Sequence, residues 1–218
     1  MAAFIISLAQ SKGGVGKSTL AAQLAAACSQ RGYRSKIVDV DKQGTLTAWA
    51  AVRSQHVNDV AKDIDVEPGS GWRLPYITQR LSREADLIFI DGGSGQDSDF
   101  SAMTRVADLV LIPCQPTGLD LWATKSLLMD NADLRDKAMV VLNRMPPRGR
   151  AAALVRHQVE KLAWPMAQQC IGNRQAFAAT MGVGLSVAEV VPVSVAAGEI
   201  DRLAMEVLTR VAELPLVA

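Results

Sequence analysis

Short apolar runs alternate along the chain with segments in which apolar residues recur at helical spacing. The runs that predict strands are residues 4–9, 35–40, 87–91, 109–113 and 139–143, with weaker candidates near residue 65 and at 168–171. The segments that predict helices are residues 17–30, 47–56, 72–83, 119–132, 151–162 and 196–214. Most of the strong strand candidates are nearly continuous apolar runs, which suits strands buried on both faces. The alternation predicts an α/β fold in which a mostly parallel, twisted sheet carries helices on both faces.

No internal repeat or low-complexity linker interrupts this alternation, so we expect a single domain over residues 1–218. Lys and Arg number 23 against 22 Asp and Glu, so any nucleic-acid binding must come from local clusters of charge. The three cysteines lie far apart without CxxC spacing, which is typical of buried thiols. No apolar run approaches the roughly 20 residues that cross a bilayer. The acidic helix predicted at 196–214 also disfavours a membrane anchor.

A glycine loop follows the first predicted strand, where residues 11–19 read SKGGVGKST. In an open α/β sheet, ligands bind at the carboxyl ends of the strands. Glycines let backbone N–H groups surround a phosphate, and the start of the next helix adds its positive end. Lys17 supplies a full charge for the β- and γ-phosphates, and Ser18 supplies a hydroxyl for Mg²⁺. The loop therefore predicts a nucleotide site, although Ser11 replaces the first glycine of the common pattern.

Residues 12–19, KGGVGKST, resemble the deviant phosphate loop of the ParA/MinD ATPases, in particular the small ParA partition ATPases that lack an N-terminal helix-turn-helix. The resemblance implies a P-loop NTPase that uses ATP, ADP and Mg²⁺, with Lys12 and Lys17 as catalytic residues. It also implies that Lys12 reaches into a second copy of the chain, so that ATP holds a homodimer together. The nucleotide-binding residues that it implies are Gly13, Gly14, Val15, Gly16, Lys17, Ser18 and Thr19.

Two aspartates end the second predicted strand in DVDKQG, residues 39–44, where the family carries D-x-D-P-Q-G. Carboxylates beside a phosphate loop can support bound Mg²⁺ or position the attacking water. The resemblance implies that Asp41 activates water and that Asp39 supports the metal. Lys42 replaces the family's proline, which makes the shape of this loop harder to predict. Capping of the strand end is the alternative role of both aspartates.

The apolar run at 87–91 ends in Asp91, the pattern with which P-loop proteins bind Mg²⁺ through water. We therefore expect Ser18, Asp39 and Asp91 around the metal. The sequence GGSG follows at 92–95, and its glycines permit a loop that changes shape when the γ-phosphate leaves.

Two later strand ends complete the expected site. Residues 113–120, PCQPTGLD, resemble the family's P-x-x-P-x-x-x-D segment, which implies that Pro116 and Asp120 lie at the dimer interface with Lys12. Asn143 begins NRMP, at the position where related P-loop proteins read the base. A guanine-specific loop would carry a carboxylate where Pro146 stands. We therefore expect adenine, with Asn143 as its contact or as a simple turn residue.

Positive charge gathers between residues 134 and 175, where eight basic residues minus two acidic ones leave +6. Since partition ATPases bind nonspecific DNA as ATP-bound dimers, the resemblance makes this region the candidate DNA surface. Arg148, Arg150 and Arg174 lie in or near predicted loops and are the first expected contacts. A solvated basic face is the other interpretation.

The resemblance therefore implies a cytoplasmic ATPase that is nucleoid-associated when ATP-bound and that positions a plasmid, chromosome or other cargo through a centromere-binding or cargo adaptor protein. Three other classes share the glycine loop. A metabolic ligase or kinase of the dethiobiotin synthetase kind needs a further substrate-binding group, which the motifs do not supply. An iron–sulfur ATPase of the nitrogenase iron-protein kind needs paired cysteines, but only Cys114 lies at a strand end. MinD-like membrane cycling is disfavoured by the acidic last helix.

Overall fold

One sheet of six strands organises the protein, whose structure is a computed structural model. It describes residues 3–56, 61, 64–93, 98–147, 150–161 and 164–213, with the side chains of 150–152 excepted. The strands are β1 (Phe4–Leu8), β2 (Ser35–Asp39), β3 (Val66–Pro68), β4 (Leu87–Asp91), β5 (Leu109–Cys114) and β6 (Ala138–Leu142).

Helices connect and cover these strands. They are α1 (Lys17–Gln30), α2 (Thr45–Arg53), α3 (Leu74–Leu81), α4 (Ser98–Val106), α5 (Gly118–Asp130), α6 (Ala132–Arg135), α7 (Arg150–Lys161), α8 (Gln175–Gly182), α9 (Val187–Val190) and α10 (Val195–Glu213). Short 3₁₀ turns at Ser54–His56 and Gly71–Arg73 extend α2 and precede α3.

The strand order is β3-β2-β4-β1-β5-β6, and every described strand pair is parallel. The register aligns Asp91 of β4 with Leu8 of β1 on one side and with Asp39 of β2 on the other. Parallel pairing therefore brings the acidic ends of β2 and β4 to the same edge as the loop that follows β1. The predicted α/β class and parallel sheet are confirmed.

Apolar side chains cover both faces of the sheet. In β4, Leu87 and Phe89 belong to the core cluster beneath α1 and α10, whereas Ile88 and Ile90 belong to the opposite cluster with α3 and α4. A further cluster on that opposite side packs β5 and β6 against α5 and α7. Burial on both faces explains why the strands read as continuous apolar runs.

The weak strand expected at 168–171 is wrong. The segment follows β6 through single bridges, Met166 to Val140 and Gly172 to Met145, without forming a ladder. The backbone N–H groups of Gln168 and Gln169 instead donate to the Glu206 carboxylate of α10, each at 2.7 Å. Helices α4, α6, α8 and α9 were not predicted. In α4 the buried apolar residues are only Phe100 and Met103. The helical spacing of apolar residues is therefore weak in this segment.

Candidate nucleotide-binding site

The loop between β1 and α1 needs glycine at two positions. Gly14 and Gly16 have φ values of 75° and 95°, in the left-handed region that other residues rarely adopt. A Cβ at Gly16 would also lie 2.6 Å from Asn143 Nδ2. Helix α1 begins at Lys17, and Gly16 gives it no side-chain cap. The first N–H groups of the helix are therefore available to an anion.

Polar side chains from other strand ends hold this loop in place. Gln10 is fully buried, donates to Thr124 Oγ1 at 3.0 Å and accepts from the Ser11 N–H at 2.9 Å. Gln115 Nε2 donates to the Gly14 carbonyl at 3.0 Å. Neither glutamine was predicted as a site residue. A polar residue directly after a mostly apolar strand, as at Gln10, is the signal that could have found the first.

Lys17 lies buried beneath the loop, with 7% of its surface exposed. Its Nζ donates to the carbonyls of Gln10 and Lys12 at 3.3 and 3.5 Å. Burial lowers the pKa of Lys17, while the charges of Asp91 and Asp41 act to raise it. The ammonium group is thus held by weak neutral contacts, which phosphate oxygens can replace with stronger, charge-assisted ones.

Lys12 stands at the outer side of the same loop and makes a different contact. Its Nζ lies 2.6 Å from Asp120 Oδ2, and the side chain stays 38% exposed while that of Asp120 is fully buried. The Thr117 hydroxyl also donates to this oxygen, and Thr117 Oγ1 accepts from the Asp120 N–H at 3.2 Å. The structure therefore pairs Lys12 with a carboxylate of its own chain and leaves it within reach of solvent. Pro116 is half-buried on the same connection.

Asp91 has a buried carboxylate without a hydrogen-bond partner for either oxygen among the described residues. Burial raises its pKa to about 7, and the nearby Ser18 side chain and the Lys17 charge oppose that rise. An unpaired buried carboxylate is costly, so it marks a place where a ligand supplies the missing contact.

Asp39 and Asp41 already serve as local caps. Asp39 Oδ2 accepts from the backbone N–H and the hydroxyl of Thr47, at 2.8 and 2.9 Å, at the start of α2. Its buried Oδ1 has no partner in the described part of the chain. Asp41 Oδ1 accepts from the Gln43 N–H at 3.0 Å and lies close to Gly93, on the loop after β4. Each aspartate therefore caps backbone and still faces the site.

These residues fit a Mg²⁺ ion. Magnesium keeps several waters and binds through few protein oxygens together with substrate phosphates. The Ser18 hydroxyl and the orphaned oxygens of Asp91 and Asp39 are hard oxygen donors of this kind. Over the described residues, no group of three or more His, Cys, Asp or Glu side chains is suited to hold a metal alone. The donor set thus matches a metal that arrives with its nucleotide.

Asn143, the expected base contact, is buried and anchors the loop. Its Nδ2 donates to the Val15 carbonyl at 2.7 Å, and its Oδ1 accepts from the Arg144 N–H at 2.9 Å. The residue also borders a cavity of about 130 Å³. The cavity is lined by Gly16, Thr19, Asn143, Arg144, Phe177 and neighbouring residues. A second cavity, of about 260 Å³, has Asp41, Gly93 and Asp99 in its wall.

Comparison with known families identifies the family that the glycine loop indicates. The model of the CobQ/CobB/MinD/ParA nucleotide binding domain matches residues 6–187. The chain belongs to this family.

Two relatives and one solved structure illustrate the range of the CobQ/CobB/MinD/ParA family. The maintenance of carboxysome distribution protein A of Halothiobacillus neapolitanus is 28% identical over 194 residues, covering 85% of this chain and 87% of that protein. The chromosome-partitioning ATPase Soj of Thermus thermophilus is 27% identical, with 95% and 96% covered. The septum site-determining protein MinD of Pyrococcus horikoshii, solved with Mg-ADP, has a TM-score of 0.76 at 18% identity, covering 99% and 100% of the two chains. The predicted family and fold are confirmed.

The structure describes the side chain of only one of the three predicted DNA contacts, Arg174. Arg148 lies outside the described residues, and the side chain of Arg150 is not described. Arg174 donates from two nitrogens to Glu199 of α10, at 2.9 and 2.5 Å, so its charge is compensated. Arg144 is exposed at a φ of 52° and has no carboxylate partner among the described residues. In the sequence, Arg144 belongs to the basic region between residues 134 and 175, but it was not among the predicted DNA contacts.

Two further features bear on the competing classes. Cys114 is fully buried at the end of β5, and burial raises the pKa of its thiol, which disfavours a role as a cluster ligand. Over the part of the chain that the structure describes, no helix combines the length and apolar character that crossing a bilayer requires.

Proposed function

We propose that the chain is an ATP-dependent dimerising switch that hydrolyses ATP, binds DNA without sequence preference and positions a plasmid, chromosome or other cargo through an adaptor protein. The observation that carries this proposal is the different placement of two lysines in one loop. Lys17 is buried beneath the loop, whereas Lys12 is partly exposed and held by Asp120 at 2.6 Å. A second lysine beside the phosphate site, partly exposed to solvent, can leave Asp120 and serve the nucleotide of another copy.

In this proposal ATP binds with its β- and γ-phosphates in the glycine loop, and Lys17 exchanges its carbonyl contacts for phosphate oxygens. Ser18, Asp91 and Asp39 would hold Mg²⁺, which would supply positive charge to the phosphates. Asp41 orients the attacking water, because its carboxylate faces the site from the loop after β2. Adenine occupies the cavity beside Asn143.

Dimerisation follows when Lys12 leaves Asp120 and contacts the nucleotide of the partner subunit. The phosphate charge then replaces the carboxylate as its partner. Asp120, which is buried, acts on the interface through Lys12, while Pro116 shapes the connection that carries it. The names of the two relatives, a carboxysome distribution protein and a chromosome-partitioning ATPase, support positioning as the output. We propose that the dimer works in the cytoplasm and associates with the nucleoid.

Lys12→Ala is expected to weaken the ATP-dependent dimer by about 10- to 100-fold for each of the two symmetric charge-assisted contacts that it removes from the interface. ATP binding by the monomer should change by less than about twofold, since Lys17 and the loop backbone remain. Light scattering and steady-state hydrolysis with ATP measure the two effects. Lys125→Ala, at an exposed lysine of α5, is the matched control and should dimerise normally. A fully dimeric, fully active Lys12→Ala protein would contradict the proposal.

DNA binding is expected from the ATP-bound protein alone and should weaken as salt rises, since phosphate contacts release counterions. Replacing Arg148 and Arg150 together by alanine should flatten the slope of log K against log salt by about 3.6, at about 0.9 for each of the four contacts that the two arginines make in the dimer. Arg174→Ala should change the slope by much less, because Glu199 already compensates that charge. Co-sedimentation with duplex DNA in ATP, in ADP and without nucleotide tests both expectations. An unchanged slope in the double variant would place the DNA surface elsewhere.

A further inference from the structure

The two carboxylate oxygens of Asp39 have very different surroundings. Oδ2 accepts two hydrogen bonds from Thr47, one from its backbone N–H at 2.8 Å and one from its hydroxyl at 2.9 Å. Oδ1 is buried and has no hydrogen-bond partner among the described residues. Only 2% of the surface of Asp39 is exposed, so bulk water does not satisfy this oxygen. A buried carboxylate oxygen without a partner is costly, and it indicates that a ligand completes the group.

This oxygen lies at the same edge of the sheet as the carboxylate of Asp91. The register of β2 and β4 pairs the two aspartates directly. Within the described part of the chain, Oδ1 of Asp39 and both carboxylate oxygens of Asp91 are therefore buried without partners on neighbouring strand ends. Two carboxylates in this arrangement repel each other, and a divalent cation at this edge removes the repulsion.

Capping of α2 alone does not account for the way in which Asp39 is held. A helix cap needs one oxygen that accepts from the first N–H groups, and Ser, Thr or Asn provides such an oxygen without burying a charge. Asp39 accepts from the Thr47 N–H with one oxygen and buries a second oxygen that the cap does not use. The second oxygen is explained if the carboxylate also serves a metal ion.

Thr47 reaches Asp39 from the first turn of α2, a helix that is well anchored in the core. Leu46 and Trp49 are buried on the inner face of this helix. At its last residue, the guanidinium group of Arg53 lies 4.8 Å from the centre of the Trp49 ring and 2.6 Å from a carboxylate oxygen of Glu189 in α9. A side chain on a rigid element can orient a functional group more precisely than one on a loop.

We propose that Thr47 is a positioning residue of the metal site, which fixes the Asp39 carboxylate so that Oδ1 is presented to Mg²⁺. This step rests on the proposed function, in which Asp39 supports the ion. Two donors on Oδ2 restrict the rotation of the carboxylate and leave Oδ1 for the metal or its bound water. Carboxylates that serve metals are commonly held by such hydrogen bonds, and loss of one lowers metal affinity by about 10- to 100-fold.

Mg²⁺ and Ca²⁺ should respond differently to a carboxylate that is held less firmly. Mg²⁺ requires nearly ideal octahedral geometry, whereas Ca²⁺ accepts more oxygens in a flexible arrangement. Without the Thr47 hydroxyl, one hydrogen bond from the backbone N–H remains on Oδ2, and the carboxylate can turn about it. Loss of the hydroxyl should therefore reduce the affinity for Mg²⁺ more than the affinity for Ca²⁺.

Binding of a fluorescent ADP analogue in EDTA and with added metal tests the role of Thr47. The measurements are the dissociation constant of the analogue in EDTA and the half-saturating concentrations of Mg²⁺ and Ca²⁺ for the ADP-bound protein. In Thr47→Val the half-saturating concentration should rise about tenfold for Mg²⁺ and less than about threefold for Ca²⁺. Affinity in EDTA should stay within about twofold of the wild type, because the phosphate loop is unchanged. Thr47→Ser keeps the hydroxyl and should bind Mg²⁺ as the wild type does.

Thr45→Val is the matched control. Thr45 is the first residue of the same helix and is exposed as Thr47 is, but no described hydrogen bond joins it to Asp39. This variant should bind ADP, Mg²⁺ and Ca²⁺ as the wild type does. Because both threonines are exposed, neither replacement should disturb the fold, which circular dichroism checks.

Each contrary result counts against a definite part of the proposal. The positioning role would be overturned if Thr47→Val left the half-saturating Mg²⁺ concentration unchanged, or if Thr47→Ser lost as much affinity as Thr47→Val. Equal losses for Mg²⁺ and Ca²⁺, or an equal loss in Thr45→Val, would show a general effect on α2 and would also overturn it. A wild-type protein whose ADP affinity does not respond to Mg²⁺ would instead overturn the metal site of the proposed function, and the role of Thr47 with it.

Discussion

Lys17→Ala is expected to weaken ATP binding at least about 100-fold, the largest expected effect of a single change on nucleotide affinity. The ammonium group is the one described cation buried directly beneath the glycine loop, and its two present partners are neutral carbonyls. Each charge-assisted hydrogen bond to a phosphate contributes about 1.5–3 kcal/mol, so two such contacts account for at least a 100-fold change in affinity. The loop backbone and the start of α1 remain in the variant but cannot supply a full charge.

Titration with a fluorescent ATP analogue measures the loss, and Asp41→Ala is the matched control. Asp41 faces the site from another loop and makes its described contact with the Gln43 backbone. Its removal should leave ATP bound and slow hydrolysis by about 100-fold or more, because the attacking water loses its orienting group. Near-normal ATP affinity in Lys17→Ala would refute the site. Loss of ATP binding in Asp41→Ala would instead make Asp41 a structural or metal-supporting residue.

The parts of this protein that the sequence predicts are those in which local pattern decides the structure. Helix α1 was expected at 17–30 and β4 at 87–91, and both have these bounds. A glycine loop between an apolar strand and an alanine-rich helix leaves few alternatives, because positive φ values, a buried lysine and a helix start are all specified within a few residues. The register of a parallel sheet then brings Asp39 and Asp91 to the same edge.

Contacts between distant segments could not be predicted in the same way. Lys12 and Asp120 are 108 positions apart, and only the crossover that places β5 beside β1 brings them together. The pairing of Arg174 with Glu199 depends on how α10 packs against the loop before α8. The sequence alone therefore offers no reason to treat the charge of Arg174 as compensated. Helix α4 carries too few buried apolar residues to show a period, although its first turn carries Asp99, which accepts the Gly71 N–H.

Asp91→Asn is expected to make the nucleotide-free protein more stable at pH 8. It is also expected to reduce the stabilisation of the protein by Mg-ATP. Burial raises the pKa of Asp91 from 3.8 to about 7 in the folded protein. Between these two values the folded state binds more protons than the unfolded state, so the free energy of unfolding falls as pH rises through this window. The penalty is fully present above pH 7 and absent below about pH 4. Three units of pKa correspond to about 4 kcal/mol as an upper bound.

The side-chain amide in Asp91→Asn is uncharged, so this substitution removes the cost of burying a charge. Two losses reduce the resulting gain in the free energy of unfolding. Asn is left with unsatisfied polar atoms in a buried place, and Lys17 loses an attractive charge. A net gain of about 2 kcal/mol at pH 8 is therefore expected, which is about 4–8 °C in Tm for a chain of this size. At pH 5.5 the wild-type carboxyl is mostly protonated, so the difference between the two proteins should fall to less than half.

Thermal unfolding with EDTA at the two pH values, and again at pH 8 with Mg-ATP, measures the prediction. Bound Mg²⁺ supplies the partner that Asp91 lacks, so the ligand should raise the Tm of the wild type more than that of Asp91→Asn. Asp86→Asn is the control of opposite sign, because hydrogen bonds from Arg34 lower the pKa of Asp86 and make its charge favourable in the folded state. That variant should lose a little stability at both pH values. Asp91→Asn could instead be the less stable protein at pH 8 without nucleotide. Asp91 would then be a structural carboxylate whose charge is already satisfied in the folded protein. It would not be an unpaired carboxylate that awaits a metal ion.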